Sequence, residues 1–101
     1  MDDELLQLAA NLPEFQMDPG DAVVREGESG AGLWILVSGS LRVVKSGVEI
    51  NTISRPGAAI GEISLLLDAP YSATVVASEP SVLRHAADGR AFLASNPHIT
   101  R

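Results

Sequence analysis

One stretch of this 101-residue chain, residues 61–76 (GEISLLLDAPYSATVV), combines residue types that could hold a ligand. Gly61 lets the chain turn sharply and lets a ligand come close to the backbone. The residues that follow it, 62–67, favour about two turns of helix. The polar side chains are a carboxylate at the head of the stretch and hydroxyls around a proline: Glu62, Ser64, Tyr71, Ser72 and Thr74. A plain strand needs none of these features, so the stretch is the first candidate for a binding site.

The residue types in this stretch favour particular chemical groups of a ligand. The free N–H groups and the partial positive charge at a helix N-terminus favour an anion such as a phosphate by roughly 0.3–2 kcal/mol. Ser72 and Thr74 return past that end of the helix as the next strand begins, and their hydroxyls can add hydrogen bonds. Glu62 is a poor partner for a phosphate but a good acceptor for a sugar hydroxyl. A phosphate beside a ribose is a nucleotide.

Two short helices are predicted at the ends of the chain. In residues 1–14, four apolar residues recur at helical spacing behind an acidic start: Leu5, Leu8, Ala9 and Leu12. In residues 88–101, Asp88 can cap a short helix that ends before Pro97.

The segment between these helices, residues 15–87, has the pattern of an all-β domain. Turn sequences recur along it: DPGD at 18–21, EGESGAG at 26–32, SGS at 38–40, KSG at 45–47 and RPG at 55–57. Short segments rich in β-branched residues lie between and after the turns: AVVRE, LWILV, LRVVK, VEINTI, AAI, SATVVAS and SVLRHAA. This spacing predicts a barrel or sandwich within one domain that spans residues 1–101. Trp34, Phe15 and Phe92 are expected in its core.

The composition excludes several classes of function. The formal net charge is −6 at pH 7, so the surface repels nucleic acid and anionic lipid, and we expect no direct nucleic-acid binding. The chain has no cysteine, and His85 and His98 stand far apart, so neither thiol catalysis nor a metal site is expected. No apolar run approaches the roughly 20 residues of a membrane span, and the start is acidic. We therefore expect a cytoplasmic location without membrane insertion.

The pattern as a whole resembles the cyclic nucleotide-binding domain family, which is found in catabolite-activator-type regulators, protein kinase regulatory subunits and cyclic nucleotide-gated channels. The resemblance covers about residues 15–97. Its most specific part is the phosphate-binding cassette, which runs as Gly-Glu, apolar residues, a spacer, Pro-Arg, a small or hydroxyl residue, Ala, Thr or Ser, and Val. The matching residues are Gly61, Glu62, Ile63, Ser64, Leu65, Pro70, Ser72, Ala73, Thr74 and Val75.

The resemblance implies a fold, a ligand and roles for the site residues. The implied fold is mainly β, a jelly-roll-like eight-stranded β-barrel with short flanking helices and a short helix inside the cassette. The implied ligand is a cyclic nucleotide, cyclic AMP or cyclic GMP, with no covalent or metal cofactor. Glu62 would hold the ribose 2′-hydroxyl. The cyclic phosphate would face three backbone amides and one hydroxyl: those of Ile63, Ser64 and Ala73, and that of Ser72.

Two features depart from the family pattern. Tyr71 stands where the family places its phosphate-binding arginine, and a missing charge-assisted hydrogen bond of about 1.5–3 kcal/mol weakens binding by about 10- to 150-fold. Arginines elsewhere in the sequence could supply a charge: Arg25, Arg42, Arg55 and Arg84. Family members also usually continue into a longer lid helix and an effector domain, which we expect to be absent from this chain.

Three classes of function follow from these observations. The first is a regulatory domain that binds a cyclic nucleotide weakly, within a larger signalling, transport or transcription system. The second is a nucleotide-free relative that acts as a protein-interaction or assembly module, in which Ser64 and Ser72 cap the short helix and Tyr71 fills a turn. The third, an enzyme, is not expected, because no set of nucleophile, base and orienting group is recognisable.

Overall fold

The computed structural model describes residues 2–95, with side chains from residue 5 onward. In this range the elements are α1 (Asp2–Leu8), β1 (Glu14–Met17), β2 (Ala22–Val24), β3 (Leu33–Ser38), β4 (Leu41–Lys45), β5 (Val48–Ile53), β6 (Ala59–Ile60), α2 (Glu62–Leu67), β7 (Thr74–Ala77), β8 (Ser81–Ala86) and α3 (Gly89–Ser95). No helix among the described residues has the length and hydropathy needed to cross a membrane.

The eight described strands form two antiparallel sheets. One sheet has the order β1-β8-β3-β6, and the other has the order β2-β7-β4-β5. The mainly β class and the strand number are confirmed. The predicted barrel is not closed, because β5 and β6 are edge strands of different sheets and do not pair. β6 has only two residues before the chain turns at Gly61 into α2, so it offers too short a ladder to close the barrel.

The sheet that contains β3 and β8 is buried on both faces. Its inner face meets the other sheet in one hydrophobic cluster: Val23, Val24, Leu36, Leu41, Ala58, Ile60, Val75, Ala77 and Leu83. Its outer face packs under the helical segments in a second cluster: Ala9, Leu33, Ile35, Leu65, Ala86 and Leu93. Because successive side chains of a strand point to opposite faces, the apolar run of β3 serves both clusters.

Helices are present at both predicted ends of the described range, but α1 ends at Leu8, so the predicted helical positions Ala9 and Leu12 lie in the turn that follows it. α1 contributes Leu5 and Leu6 to the outer cluster. The Oδ1 atom of Asp88 accepts a hydrogen bond of 3.0 Å from the N–H of Ala91, which confirms the predicted cap of α3. Pro97 and His98 lie outside the described residues.

Three rings from neighbouring strands form an aromatic cluster. Trp34 and His85 are register partners, and their rings stack with centroids 4.0 Å apart. The ring of Phe15 meets both edge-on, at 5.3 Å from Trp34 and 5.9 Å from His85. Trp34 packs against the inner cluster, as expected, but the core position predicted for Phe15 is wrong. Phe15 is 42% exposed because β1 is an edge strand with a neighbour on one side only.

Arg84 ties the end of the N-terminal segment to β8. Its guanidinium donates hydrogen bonds to the carbonyl oxygens of Ala10 and Leu12, at 3.0 and 2.9 Å. It also donates to the Oε1 atom of Glu14 at 3.2 Å. The planar guanidinium group carries several N–H donors in a fixed geometry, so it can donate to all three acceptors at once.

We expect acidification to destabilise the fold through His85. Burial lowers the pKa of His85 below its usual 6.5, so the unfolded chain takes up the proton first. The stability that comes from the neutral ring is complete above pH 6.5 and is lost as pH falls through the folded-state pKa. Urea unfolding, followed by the fluorescence of Trp34 from about pH 7.5 to 5.5, should show a smaller decline in His85→Gln than in wild type. Equal declines in the free energy of unfolding of the two proteins would contradict the role given to His85.

Replacing Arg84 with glutamine is expected to lower the free energy of unfolding by about 1–3 kcal/mol, because carbonyl groups of the N-terminal segment lose a charged donor. Denaturant titration measures the change. Arg25→Gln is the matched control, since Arg25 is exposed, and it should stay within about 0.5 kcal/mol of wild type. Comparable losses in both variants would argue against the role given to Arg84.

Candidate functional site

The short helix α2 begins at Glu62, directly after a left-handed glycine. Gly61 has φ of 95° and ψ of −3°, and the N–H of Leu65 donates to its carbonyl oxygen at 3.1 Å as the first bond of the helix. No side chain caps this helix start. The N–H groups in the first turn of a helix have no partner within the helix, so those of residues 62–64 are the ones that a ligand can meet.

Tyr71 is held against two glycines that face each other across the site. A Cβ atom on Gly30 would collide with the Tyr71 hydroxyl. A Cβ atom on Gly61 would lie 3.5 Å from the Cε1 atom of Tyr71 and 3.2 Å from the carbonyl oxygen of Gly32. The ring of Tyr71 therefore lies between the β2–β3 loop and the start of α2, and the close approach of its hydroxyl to residue 30 requires glycine there.

Backbone hydrogen bonds fix Tyr71 in this position. Its carbonyl oxygen accepts from the N–H of Gly27 at 2.9 Å, and its N–H donates to the carbonyl oxygen of Glu28 at 3.0 Å. Burial and, to a lesser extent, the carboxylate of Glu28 raise the pKa of the Tyr71 phenol above its usual value. The side chain is half-buried and is a neutral hydroxyl at physiological pH.

The end of α2 is closed by its own backbone and by Ser64. Asp68 adopts a left-handed conformation with φ of 53°, and its N–H donates to the carbonyl oxygen of Leu65 at 3.3 Å. The N–H of Ala69 donates to the carbonyl oxygen of Ser64 at 3.0 Å. The hydroxyl of Ser64 donates to the carbonyl oxygen of Pro70 at 3.4 Å. These bonds bring Pro70 and Tyr71 back beside the helix.

A cavity of about 250 Å³ lies beneath the start of α2, between the helix and the inner faces of the strands. We call it the cassette cavity. Its lining consists of Val24, Val43, Ile53, Ala59, Ile60, Gly61, Glu62, Ile63, Ser64, Tyr71, Ser72, Ala73 and Val75. Seven of the eight site residues predicted from the sequence are in this lining.

Thr74 is the predicted site residue that does not line the cassette cavity. Its hydroxyl accepts a hydrogen bond of 2.9 Å from the N–H of Glu26. Thr74 therefore ties the β2–β3 loop to the start of β7, and so supports the loop against which Tyr71 packs.

A second, larger space of about 460 Å³ lies along the open side of the sandwich, between β5 and β6. We call it the seam groove. Its lining is Leu5, Asn51, Thr52, Ile53, Ser54, Arg55, Gly57, Ala58, Ala59 and Glu62. The two spaces share Ile53, Ala59 and Glu62, so a ligand held by Glu62 can extend into both. The sequence analysis did not predict this groove. The sequence feature that marks it is the RPG turn at residues 55–57, which lies between a strand and the cassette.

The four arginines considered from the sequence lie outside the lining of the cassette cavity. Arg84 binds the N-terminal segment, and Arg25 is exposed. Arg42 alternates with the inward-facing Leu41 and Val43, so it lies on the outer face of its sheet. Arg55 lines the seam groove together with Glu62. Within the described part of the chain, no group of His, Asp and Glu side chains could hold a metal ion.

Comparison with known proteins places this geometry in a family. A sequence model described as the cyclic nucleotide-binding domain matches residues 14–92. The chain is 40% identical over 73 residues to the cAMP-dependent protein kinase regulatory subunit of Yarrowia lipolytica, an alignment that covers 72% of this chain and 19% of the relative. It spans between 6% and 23% of the length of the first curated relatives it matches.

Two examples illustrate the solved structures that share the fold. The regulatory domain of Toxoplasma gondii PKA, crystallised with cAMP, superposes with a TM-score of 0.74 at 29% identity, over 94% of this chain and 37% of that one. A regulatory subunit of a cAMP-independent protein kinase A from Trypanosoma brucei superposes with a TM-score of 0.69 at 31% identity, over 84% of this chain and 33% of that one. The latter is a triple mutant bound to cAMP, and one of its substitutions replaces a threonine with an arginine.

Replacing Gly61 with alanine should destabilise the chain and disturb the start of α2. The left-handed backbone alone costs about 1–3 kcal/mol for a residue with a side chain. Gly20→Ala is the matched control, since Gly20 has φ of 94° but nothing within 4 Å of an added Cβ. We expect Gly61→Ala to cost more than Gly20→Ala in denaturant unfolding, because the carbonyl oxygen of Gly32 must also shift to admit the Cβ atom. Identical losses would show that the packing around Gly61 is loose.

Proposed function

Because the chain belongs to the cyclic nucleotide-binding domain family, we propose that it is a regulatory, ligand-sensing domain whose cassette cavity binds cyclic AMP or cyclic GMP weakly. The observation that carries the proposal is that one cavity collects seven of the eight residues of the cassette site. These residues supply a carboxylate, hydroxyls and the start of a helix around a single space. That combination suits a sugar joined to a phosphate.

In this proposal each group has a distinct role. Glu62 accepts a hydrogen bond from the ribose 2′-hydroxyl. The backbone amides of Ile63, Ser64 and Ala73 face the cyclic phosphate, and the hydroxyl of Ser72 adds a further donor. The Ser64 hydroxyl keeps its bond to Pro70, so Ser64 acts through its amide.

We assign to Tyr71 the position of the family's phosphate-binding arginine. In support, the ring lines the cavity between Gly30 and Gly61, close to the start of α2. The Trypanosoma brucei relative, a regulatory subunit of a kinase described as cAMP-independent, was solved with cAMP in a mutant that gains an arginine, which supports a contribution of an arginine to cAMP binding in this family. A phenol offers a phosphate one neutral donor where a guanidinium offers a charged pair, so the proposed binding is weak.

The domain acts, in this proposal, within a larger cytoplasmic system. Residues 1–101 form one sensing domain, and an effector domain or subunit outside this sequence reads its state. The curated relatives are several times longer than the matched region, which supports such an arrangement. Direct contact with nucleic acid is not part of the proposed role, because the net charge is −6.

A specific observation favours a second function, that of a nucleotide-free interaction module. Three large apolar side chains of α2 are exposed: Ile63 at 69%, Leu66 at 55% and Leu67 at 70%. They are spaced i, i+3 and i+4, so they share one face of the helix. A module that uses this face needs no ligand in the cavity, and the experiment below separates the two functions.

Replacing Tyr71 with arginine is expected to raise the affinity for cyclic AMP and cyclic GMP by about 10- to 150-fold, which corresponds to about 1.5–3 kcal/mol. The gain comes from one charge-assisted, bidentate contact in a cavity already lined by amides and hydroxyls. Titration calorimetry at matched salt measures it. Tyr71→Phe is the control and should show no gain, because it keeps the ring without adding charge.

Chemical-shift mapping with millimolar cyclic nucleotide tests the location of binding. The shifted amides should cluster in residues 61–65 and 72–74. Scattered shifts, or undetectable binding by folded wild type and folded Tyr71→Arg alike, would leave the interaction module as the surviving function.

A further inference from the structure

The charge inside the cassette cavity is negative. Among the described residues that line it, Glu62 carries the charge at neutral pH, and the other polar side chains are Ser64, Ser72 and the Tyr71 phenol. The carboxylate of Glu28 lies near that phenol, close enough to raise its pKa. A cyclic phosphate in this space therefore lies near a carboxylate, and no cationic side chain among the described lining residues offsets that charge.

The same lining suits an uncharged sugar. A carboxylate accepts hydrogen bonds from sugar hydroxyls, and hydroxyl side chains both donate and accept. The aliphatic walls, which include Val24, Val43 and Ile53, match the apolar faces of a ribose or a base. The volume of about 250 Å³ equals that of about eight waters, at about 30 Å³ each, which is enough for a ribose. The shared rim at Ile53, Ala59 and Glu62 gives the base access to the seam groove.

We propose that the cassette cavity binds uncharged ribonucleosides at least as tightly as the corresponding cyclic nucleotides. In a nucleoside, free 3′- and 5′-hydroxyls replace the cyclic phosphate, so the repulsion from Glu62 disappears and the contact between Glu62 and the ribose remains. The inference rests on the proposed function, because it uses the same cavity and the same contact with the sugar. It extends the ligand class of the site from cyclic nucleotides to nucleosides.

Calorimetry on the 101-residue chain tests this preference with four probes: adenosine, guanosine, cyclic AMP and cyclic GMP. In wild type, each nucleoside should bind with a Kd equal to or lower than that of its cyclic nucleotide, by up to about 10-fold. Raising the salt from about 20 to about 300 mM should strengthen cyclic nucleotide binding, because the repulsion is screened. Nucleoside affinity should stay within about 2-fold over the same range, because an uncharged ligand feels no such repulsion.

Two variants identify the group that sets the preference. Tyr71→Arg should reverse the order, because cyclic nucleotide affinity should rise by about 10- to 150-fold and so exceed that of the nucleosides. Arg55→Gln tests the neighbouring cation, since Arg55 lines the seam groove and not the cassette cavity. It should leave the order of affinities unchanged, with each nucleoside binding at least as tightly as its cyclic nucleotide. A loss of cyclic nucleotide binding in Arg55→Gln would show that this arginine reaches the phosphate, and would overturn the inference.

The outcomes separate the inference from the proposed function. Cyclic nucleotides that bind wild type 10-fold or more tightly than nucleosides would overturn the inference and leave the proposed function standing. Nucleoside binding without cyclic nucleotide binding, in both wild type and Tyr71→Arg, would support the inference and remove cyclic nucleotides as ligands. If none of the four probes binds wild type or Tyr71→Arg, both the inference and the proposed function are wrong. Thermal unfolding of the two chains checks that they are folded.

Discussion

The burial of the β3–β8 pair on both faces is the constraint on which the rest of the structure depends. One face needs the second sheet, and the other face needs the helices. α2 is fixed by this requirement, because Leu65 inserts into the outer cluster beside Leu33 and against Gly89. The start of the same helix borders the cassette cavity. The cavity is thus a consequence of packing, since Leu65, which anchors α2, lies within one turn of the residues at the helix start that line the cavity.

Much of the fold could be predicted because the relevant signals are local. β4 and β5 have the predicted bounds, since β-branched runs flank a KSG turn in which Ser46 and Gly47 both take positive φ. α2 has the predicted bounds for a similar reason, because a left-handed residue stands at each end of it. Asp88 could be identified as a cap because capping involves residues three apart in sequence.

The remaining features depend on pairing between distant residues. The segment EFQM, which forms the whole of β1, has no strong strand signal, and it becomes a strand because β8 offers it a partner. Phe15 looked like a core residue, but the number of neighbours around a strand follows from sheet order, which the local sequence does not encode. The arginines are a further case. Arg84 reaches across more than 70 positions in sequence to the carbonyl oxygens of Ala10 and Leu12, so its role emerges only once the fold is known.

The open side of the sandwich between β5 and β6 has a kinetic consequence. The rim that joins the cassette cavity to the seam groove consists of Ile53, Ala59 and Glu62, and no ladder hydrogen bond spans β5 and β6 among the described strands. A molecule can therefore enter or leave without breaking the sheet, so its exchange is not gated by partial unfolding. The association rate is then governed by diffusion into a cleft, and the dwell time by the contacts inside it. If the site is as weak as proposed, it equilibrates quickly, so its occupancy would follow changes in ligand concentration with little delay.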